Sequence, residues 1–295
     1  MFYFLSLLTG VIITVLIAVN GGLTGQYGVY SATIIIHIAG LIFITLLVLA
    51  KRELPFANIQ AWHLYLGGAL GVLTTAFINL AFGRISVSAI LALGLLGQSI
   101  AGLVFDRYGL MGMQKHPSGC NQLIGLTLIL AGIVAMVTQF EVVAVTVAFI
   151  TGINIVVARN FNAKLAEHTS VRTSTFYNYV VGLGVAVLAY LLLGRQELVD
   201  TGWVLYPYWW IYLGGIIGVC VVLLSNITVV KISAFYLSLL MFIGQVFSGI
   251  VVDAVISQAF SSRNMVGGVL VTLGLCINLV LDRQSRSRIT FQPTD

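Results

Sequence analysis

The segment at residues 62–106 recurs at residues 209–253, and each copy belongs to a unit with an odd number of apolar spans. The two copies share W-x-x-Y-L-G-G-x-x-G near the start and G-Q-x-x-x-G-x-x-x-D at the end, at constant spacing. Because each unit crosses the membrane an odd number of times, the two units must lie upside down relative to each other. Inverted repeats around a site at the bilayer midplane are typical of secondary transporters, so the repeat indicates transport.

The composition places the chain in a membrane. It is 59% hydrophobic and only 8% charged, whereas about 25% of the residues in a soluble domain are charged. Apolar runs of roughly 20 residues, the length that a helix needs to cross a bilayer, follow one another almost without interruption. The three cysteines form no CxxC pair, so we expect no disulfide framework, no metal site and no cofactor.

The apolar runs predict an all-α integral membrane protein with ten transmembrane helices, arranged as two inverted five-helix repeats. The helices are predicted near residues 3–24, 31–50, 62–83, 86–106, 122–138, 142–159, 173–193, 209–230, 232–252 and 265–281. We expect residues 1–140 to form the first repeat, 141–284 the second, and 285–295 a cytoplasmic tail. Matches of Asn20 with Asn162 and of Gly40 with Gly182 extend the repeat beyond its central segment.

The distribution of lysine and arginine predicts the orientation. Most of these residues fall on the side of the two termini, which the positive-inside rule assigns to the cytoplasm. We therefore expect a multi-pass protein of a prokaryotic plasma membrane with both termini in the cytoplasm.

The chain resembles the YdcZ-type family of the drug/metabolite transporter (DMT) superfamily in its fused two-repeat form. The resemblance rests on N-G-G-L-x-x-x-x-G followed by S-A-T, on W-x-x-Y-L-G-G-x-x-G, and on G-Q-S-I-A-G-L-V-F-D. It implies a DMT (EamA-like) fold that exports or exchanges small metabolites or drugs, and it favours export without naming a substrate. One departure is Gly28, which aligns with Ser170 rather than with a glycine.

Polar residues within the predicted helices are candidates for substrate contact. Gln98 and Gln245 lie near the middle of the fourth and ninth helices, where an amide either contacts substrate or bonds a neighbouring helix. Four asparagines and two ring side chains could also line polar vestibules, with helix capping or packing as the alternative: Asn20, Asn79, Asn162, Asn226, His37 and Tyr179. His37 could also carry a proton, since its reference pKa near 6.5 suits coupling.

Charged residues at the helix ends suggest gates. Asp106 and Asp253 each end a helix, where the helix dipole disfavours a carboxylate, so each needs a compensating partner. One hypothesis pairs Arg84 with Asp253 as an outer gate and Lys231 with Asp106 as an inner gate. The alternative is that all four are ordinary interfacial charges.

Together these features predict a secondary active transporter of a small polar, zwitterionic or amphipathic metabolite or drug, working by alternating access and not an enzyme. A passive channel or facilitator and a non-transporting membrane partner protein are the alternatives. The expected partners are a small-molecule substrate and the lipid bilayer, with protons as a candidate coupling ion through Asp106, Asp253 or His37. We expect no nucleic acid; a monomer suffices for transport, and a dimer is compatible with the sequence.

Overall fold

The computed structural model describes residues 1–108, 110, 122–137, 141–197, 204–229, 234–258 and 261–290. Within these residues, the first repeat contains α1 (Phe2–Tyr27), α2 (Val29–Ala50), α3 (Leu66–Ala81), α4 (Val87–Tyr108) and α5 (Gln122–Met136). The second contains α6 (Val142–His168), α7 (Val171–Ala189), α8 (Gly214–Val229), α9 (Ala234–Ser257) and α10 (Ser262–Thr290). Matching 3₁₀ turns, Trp62–Tyr65 and Trp209–Leu213, lead into α3 and α8.

The length of the helices and their apolar outer surfaces suit a lipid bilayer. Five segments are long and apolar enough to cross a membrane, and four further helices in the described part carry shorter apolar runs. Large apolar side chains point outwards, such as Ile42, Leu46 and Leu192, which are 58%, 59% and 71% exposed. Lipid offers no hydrogen-bond partner, so the chain must satisfy its backbone groups within helices. The predicted all-α membrane fold with ten helices is confirmed.

Some helices are longer than the apolar runs predicted. α6 continues to His168 rather than ending near residue 159, and α10 begins at Ser262 and continues to Thr290. α7 is extended beyond Ala189 by a π-helical turn, Tyr190–Gly194. Hydropathy marks only the part of a helix that lies in hydrocarbon, whereas a helix that leaves the membrane can continue with polar residues. The predicted end of α6 was therefore wrong.

Helix contacts follow the two-fold relation between the repeats. A Cβ added at Gly10 of α1 would overlap the carbonyl oxygen of Met241 in α9. A Cβ added at Gly152, the equivalent position in α6, would overlap the carbonyl oxygen of Gly94 in α4. The packing of α1 on α9 thus reappears as the packing of α6 on α4, which is the close small-residue contact typical of membrane helices.

Three pairs of equivalent helices pack against each other antiparallel across the pseudo-two-fold axis. In the pair α5/α10, Gly125 lies against Gly274 and Gly132 lies against Gly267. The pairs α2/α7 and α4/α9 cross in the same sense. We call the membrane face at which α1 begins the terminal side and the opposite face the far side. The antiparallel arrangement places the start of one helix beside the end of its partner, which determines the contacts described below.

Candidate functional site

The asparagines of α1 and α6 occupy equivalent places in the interior. A Cβ at Gly214, the start of α8, would overlap Oδ1 of Asn20. A Cβ at Gly67, the start of α3, would likewise overlap Oδ1 of Asn162. Each asparagine therefore projects from one repeat onto a glycine of the other. The two glycines let the amide approach the backbone of a helix start, where backbone N–H groups lack intrahelical partners.

His37 and Tyr179 meet where α2 crosses α7. Their rings lie 5.6 Å apart, and both side chains are buried. His37 Nδ1 lies 2.8 Å from the carbonyl oxygen of Thr33, which can only accept, so Nδ1 carries the hydrogen. The Tyr179 hydroxyl donates to the carbonyl oxygen of Gly215, 3.2 Å away. Both polar groups therefore have partners within the protein, which agrees with the packing alternative; a proton-carrying role for His37 stays a prediction.

The two glutamines differ from this pair. Gln98 and Gln245 are half-buried, and neither side-chain amide has a hydrogen-bond partner among the residues that the structure describes. Helical spacing puts Gln98 on the same face of α4 as Leu91, and Gln245 on the same face of α9 as Val252. Leu91 and Val252 pack into one apolar cluster around Ile17. Within the described residues neither amide forms the interhelical hydrogen bond of the alternative explanation, which leaves both amides available to a ligand or to water.

Two further amides lie in the far-side half of the interior. Asn20 shares a face of α1 with Ile13 and Ile17, and it is 7% exposed. Asn79, beside Ile78 of α3, is 3% exposed. Oδ1 of Asn20 and both amide atoms of Asn79 have no hydrogen-bond partner in the described part of the chain. An unpaired buried polar group costs about 1–3 kcal/mol.

Asp253 caps a helix of the other repeat. Its carboxylate accepts from the backbone N–H of Val87 at 2.6 Å and of Ser88 at 2.9 Å, and also from the Ser88 hydroxyl. Asn264 Nδ2 donates to the same carboxylate at 3.3 Å. Val87 and Ser88 begin α4, so Asp253 lies at the positive end of the α4 dipole. The compensating partner predicted for Asp253 is therefore the start of a helix.

In the structure, Arg84 has a different partner from the one that the gate hypothesis assigns to it. Arg84 forms its ion pair with Glu141, with 3.0 Å between Nη1 and Oε1, rather than with Asp253. The hypothesis of an Arg84–Asp253 pair is thus not met in this conformation, because the start of α4 already occupies the carboxylate. Lys231 and the side chains of Asp106 and Asn226 lie outside the described residues, so the inner gate stays a prediction.

Sequence reasoning missed Glu197, which caps α2 from the end of α7. Its carboxylate accepts from the backbone N–H of Tyr30 at 3.0 Å and of Ser31 at 2.9 Å. The Ser31 hydroxyl donates to it at 3.1 Å. Gly28, the residue before α2, has φ 84° and no side chain that could cap α2. We call these contacts the far-side latch, since they join α7 to α2 at the far side.

Glu53, just after the end of α2, makes comparable contacts with the start of α7 at the terminal side. Arg172 Nε donates to its Oε1 at 2.6 Å, and the hydroxyls of Ser170 and Thr173 donate to Oε2 at 2.7 and 3.3 Å. Ser170 also caps α7 by accepting from the backbone N–H of Thr173 at 3.0 Å. We call these contacts the terminal-side latch. A signal was present in the sequence, because Glu53 and Glu197 are the first acidic residues after the second and seventh helices.

The terminal-side latch gives Glu53 a perturbed acidity. Burial alone raises the pKa of this carboxyl. The hydrogen bonds from Ser170, Arg172 and Thr173, together with the charge of Arg172, outweigh burial and hold the pKa of Glu53 below its usual value. A lowered pKa means that the folded protein binds the ionised carboxylate better than the unfolded chain does.

We expect Glu53→Gln to lower the free energy of unfolding at pH 7 by about 1 kcal/mol, because Arg172 is partly exposed and solvent screens its charge. The latch stabilises the fold fully above the unfolded pKa of about 4.3, and this stabilisation is lost as the pH falls through the lower folded pKa. Unfolding of detergent-purified protein between pH 7 and pH 3 measures the effect. The difference between wild type and variant should shrink at the acid end, and a difference independent of pH would contradict the assignment.

A groove on the far-side half is separate from the amides. It has a volume of about 460 Å³ and lies between α1 and α9, lined by apolar side chains including Val19, Trp210 and Val255. Val255 is 73% exposed, so the groove opens towards lipid. Asn20 lies on the other face of α1 from the groove. In the described ranges, no three His, Cys, Asp or Glu side chains gather to hold a metal ion.

Comparison with known protein families finds a match to both repeats. The family model described as "Putative inner membrane exporter, YdcZ" matches the chain twice, over residues 1–135 and 143–277. The chain belongs to the YdcZ family. Two matches in one chain agree with the predicted fused two-repeat form of this DMT family.

Other comparisons support the fold alone. One solved crystal structure matches with a TM-score of 0.63 at 16% sequence identity, covering 96% of this chain and 96% of its own. No curated protein matches the chain. The YdcZ family description makes the protein a member of an inner-membrane exporter family, and it points away from an enzyme.

Proposed function

We propose that this YdcZ-family protein is a secondary active transporter that exports a small polar, zwitterionic or amphipathic metabolite or drug by alternating access. The observation that carries the proposal is a set of buried amide atoms, Oδ1 of Asn20 and both amide atoms of Asn79, that have no hydrogen-bond partner among the described residues of the two inverted repeats. A membrane protein that only packs its helices gains nothing from such amides, since each is costly in an apolar interior. A substrate or hydrating water would supply the missing hydrogen bonds.

The substrate site in this proposal lies between the two repeats, near the pseudo-two-fold axis. Gln98 and Gln245 contact the substrate with the unpaired amides of Asn20 and Asn79, and the equivalent residues Asn162 and Asn226 serve it from the terminal side. His37 and Tyr179 hold the crossing of α2 and α7 beneath the site. Residues 1–140 and 141–284 act as the two halves, followed by the tail at 285–295, and both termini face the cytoplasm of a prokaryote.

Alternating access requires that one end of the α2/α7 pair opens while the other stays closed. Both latches are engaged in this conformation, Glu53 at the terminal side and Glu197 at the far side. We propose that each latch releases when the site opens to its side. Released carboxylates lie at the membrane boundary and hydrate there, which avoids the cost of a charge left alone in a dry interior. Asp106, Asp253 and His37 are the candidates for proton coupling.

Flux through proteoliposomes tests the proposal. Solid-supported-membrane currents and tracer counterflow would be measured across a panel of amino acids, amines, sugars and drugs at two pH values. A saturable flux with counterflow is expected. A steady conductance that rises linearly with concentration would indicate a channel instead. Absence of both current and counterflow for every compound would favour a non-transporting partner protein.

Glu197→Ala is expected to shift the protein towards a state open at the far side, because the start of α2 loses its acceptors. The measurement is maleimide labelling of Ile36→Cys in a background without the native cysteines. Labelling from the far side should accelerate by about tenfold, the change that corresponds to about 1.4 kcal/mol.

The matched control is Glu141→Ala, on the same side of the membrane. Its ion pair with Arg84 is exposed on both partners, and such pairs contribute little. Labelling of Ile36→Cys should therefore stay near the wild-type rate. Equal acceleration in both variants, or none in Glu197→Ala, would mean that the far-side contacts do not hold the entrance closed.

A further inference from the structure

The polar contacts of the two halves are not equivalent. At the terminal side, Asn162 Nδ2 donates to Oδ1 of Asn178 at 3.1 Å, and the Ser174 hydroxyl donates to the backbone oxygen of Asn162 at 2.8 Å. The positions that correspond to Asn178 and Ser174 in the first repeat are Ile36 and Ala32, which are apolar. The Asn162 amide nitrogen therefore has a side-chain partner within the protein, whereas the equivalent side chains near Asn20 cannot supply one.

The unpaired atoms define what could complete the far-side network. They are two amide oxygens, from Asn20 and Asn79, and one amide nitrogen, from Asn79. Both side chains are more than nine-tenths buried. Each oxygen can accept two hydrogen bonds and the nitrogen can donate two, so the three atoms together accept more hydrogen bonds than they donate. A ligand that fits must therefore carry more donors than acceptors, which a carboxylate or phosphate anion does not.

The side chains around these amides indicate the chemistry of the remaining part of the ligand. Asn20 continues the face of α1 formed by Ile13 and Ile17, and Ile17 belongs to an apolar cluster with Val87 and Leu91. The ligand thus meets hydrogen-bonding atoms beside an apolar wall. Ligand sites in proteins commonly combine an apolar lining with a few placed polar groups.

We propose that Asn79 and Asn20 bind a neutral or cationic ligand through hydrogen-bond donors, such as a primary amide or amine attached to an apolar body, and that this subsite does not accept anions. The proposal rests on the proposed transport function and names its substrate class. It also assigns the far-side half as the half that binds the polar group, since the buried amide atoms without partners, in Asn20 and Asn79, lie there.

Thermal unfolding of the full-length protein in detergent tests this with four related probes. Benzamide carries two donors and an acceptor, benzylamine is a cationic donor, N,N-dimethylbenzamide has no donor, and benzoate is an anion. Benzamide and benzylamine should raise the unfolding midpoint in a saturable manner. N,N-dimethylbenzamide and benzoate should not. An equal shift by benzoate, or no shift by either donor probe, would overturn the proposal.

Two asparagine variants separate binding from structure. Asn79→Leu should raise the midpoint of the ligand-free protein, because an unpaired amide is removed, and should weaken benzamide binding by at least about tenfold. The control is Asn154→Leu, since Asn154 Nδ2 already donates to Leu70 O and Thr74 Oγ1, both at 2.6 Å. That variant should be less stable and bind benzamide with nearly wild-type affinity. Unchanged benzamide binding in Asn79→Leu would show that Asn79 holds only water.

Failure of the assigned substrate class can be distinguished from failure of the proposed transport function. Saturable flux of an anion, without binding of benzamide, would support transport and contradict the assigned substrate class. Binding of benzamide that depends on Asn79, without any flux in proteoliposomes, would keep the subsite and remove the transport function.

Discussion

Asp253→Ala is expected to lower the free energy of unfolding by about 2–3 kcal/mol, because the start of α4 loses a charged cap. The carboxylate accepts from two backbone N–H groups of α4, at Val87 and Ser88, and from the Ser88 hydroxyl. At the membrane boundary few waters can replace these bonds. Asp253→Asn should be intermediate, since its amide keeps one acceptor and loses the charge that interacts with the helix dipole. Thermal and denaturant unfolding in detergent measure both variants.

A double-mutant cycle decides between a cap and a gate. If Asp253 caps α4, the effects of Asp253→Ala and Ser88→Ala should be coupled, because each removes one end of the same hydrogen bond. The effects of Asp253→Ala and Arg84→Ala should simply add, since Arg84 pairs with Glu141. Strong coupling between Arg84 and Asp253, or rescue by reversing both charges, would restore the gate hypothesis.

The absence of an Arg84–Asp253 pair in this conformation has a physical origin. From the sequence, Asp253 could be placed only relative to its own helix, where it lies at the unfavourable C-terminal end. The favourable N-terminus of α4 lies more than 160 residues earlier and becomes a neighbour only through the antiparallel crossing of α4 and α9. A local dipole argument indicates that a compensating partner is needed, but it cannot identify a partner that the fold supplies.

The internal repeat predicted more of the site than any single motif did. The equivalence of Asn20 and Asn162 placed both amides at matching depth, and the structure sets both against glycines that begin α8 and α3. The same equivalence could not show that the Asn162 amide has a side-chain partner while Oδ1 of Asn20 has none among the described residues. That difference depends on Asn178 and its counterpart Ile36, on a neighbouring helix, so it needs the packing as well as the alignment.

Hydropathy predicted the transmembrane helices but gave no indication of the two latches. It located ten helices but ended α6 too early, because polar residues continue the helix outside the hydrocarbon. It also gave no weight to Glu53 and Glu197, which lie in the connections after α2 and α7. Their function depends on N–H and hydroxyl groups at the start of a helix in the other repeat.

Gly97→Ala is expected to lower the free energy of unfolding more than Asp253→Ala does, because the added methyl group would meet backbone. Its Cβ would overlap the carbonyl oxygen of Phe149 and lie 3.1 Å from Gly152 Cα. Backbone atoms cannot rotate aside, so α4 and α6 must separate along their crossing. Overpacking of this kind costs about 1–3 kcal/mol or more. We expect a loss of at least about 3 kcal/mol, or failure to fold.

Gly102→Ala is the matched control on the same helix, since a Cβ there meets no atom within 4 Å. Alanine should stabilise that position slightly, by up to about 1 kcal/mol, because glycine loses more backbone entropy in a helix. The pseudo-equivalent variant Gly244→Ala should fail as Gly97→Ala does, since its Cβ would overlap the carbonyl oxygen of Leu7. Unfolding midpoints of the three variants in detergent test this directly. If all three match the wild type, the two repeats cannot be held together by these close crossings, and the symmetric packing assigned to α1/α9 and α4/α6 is wrong.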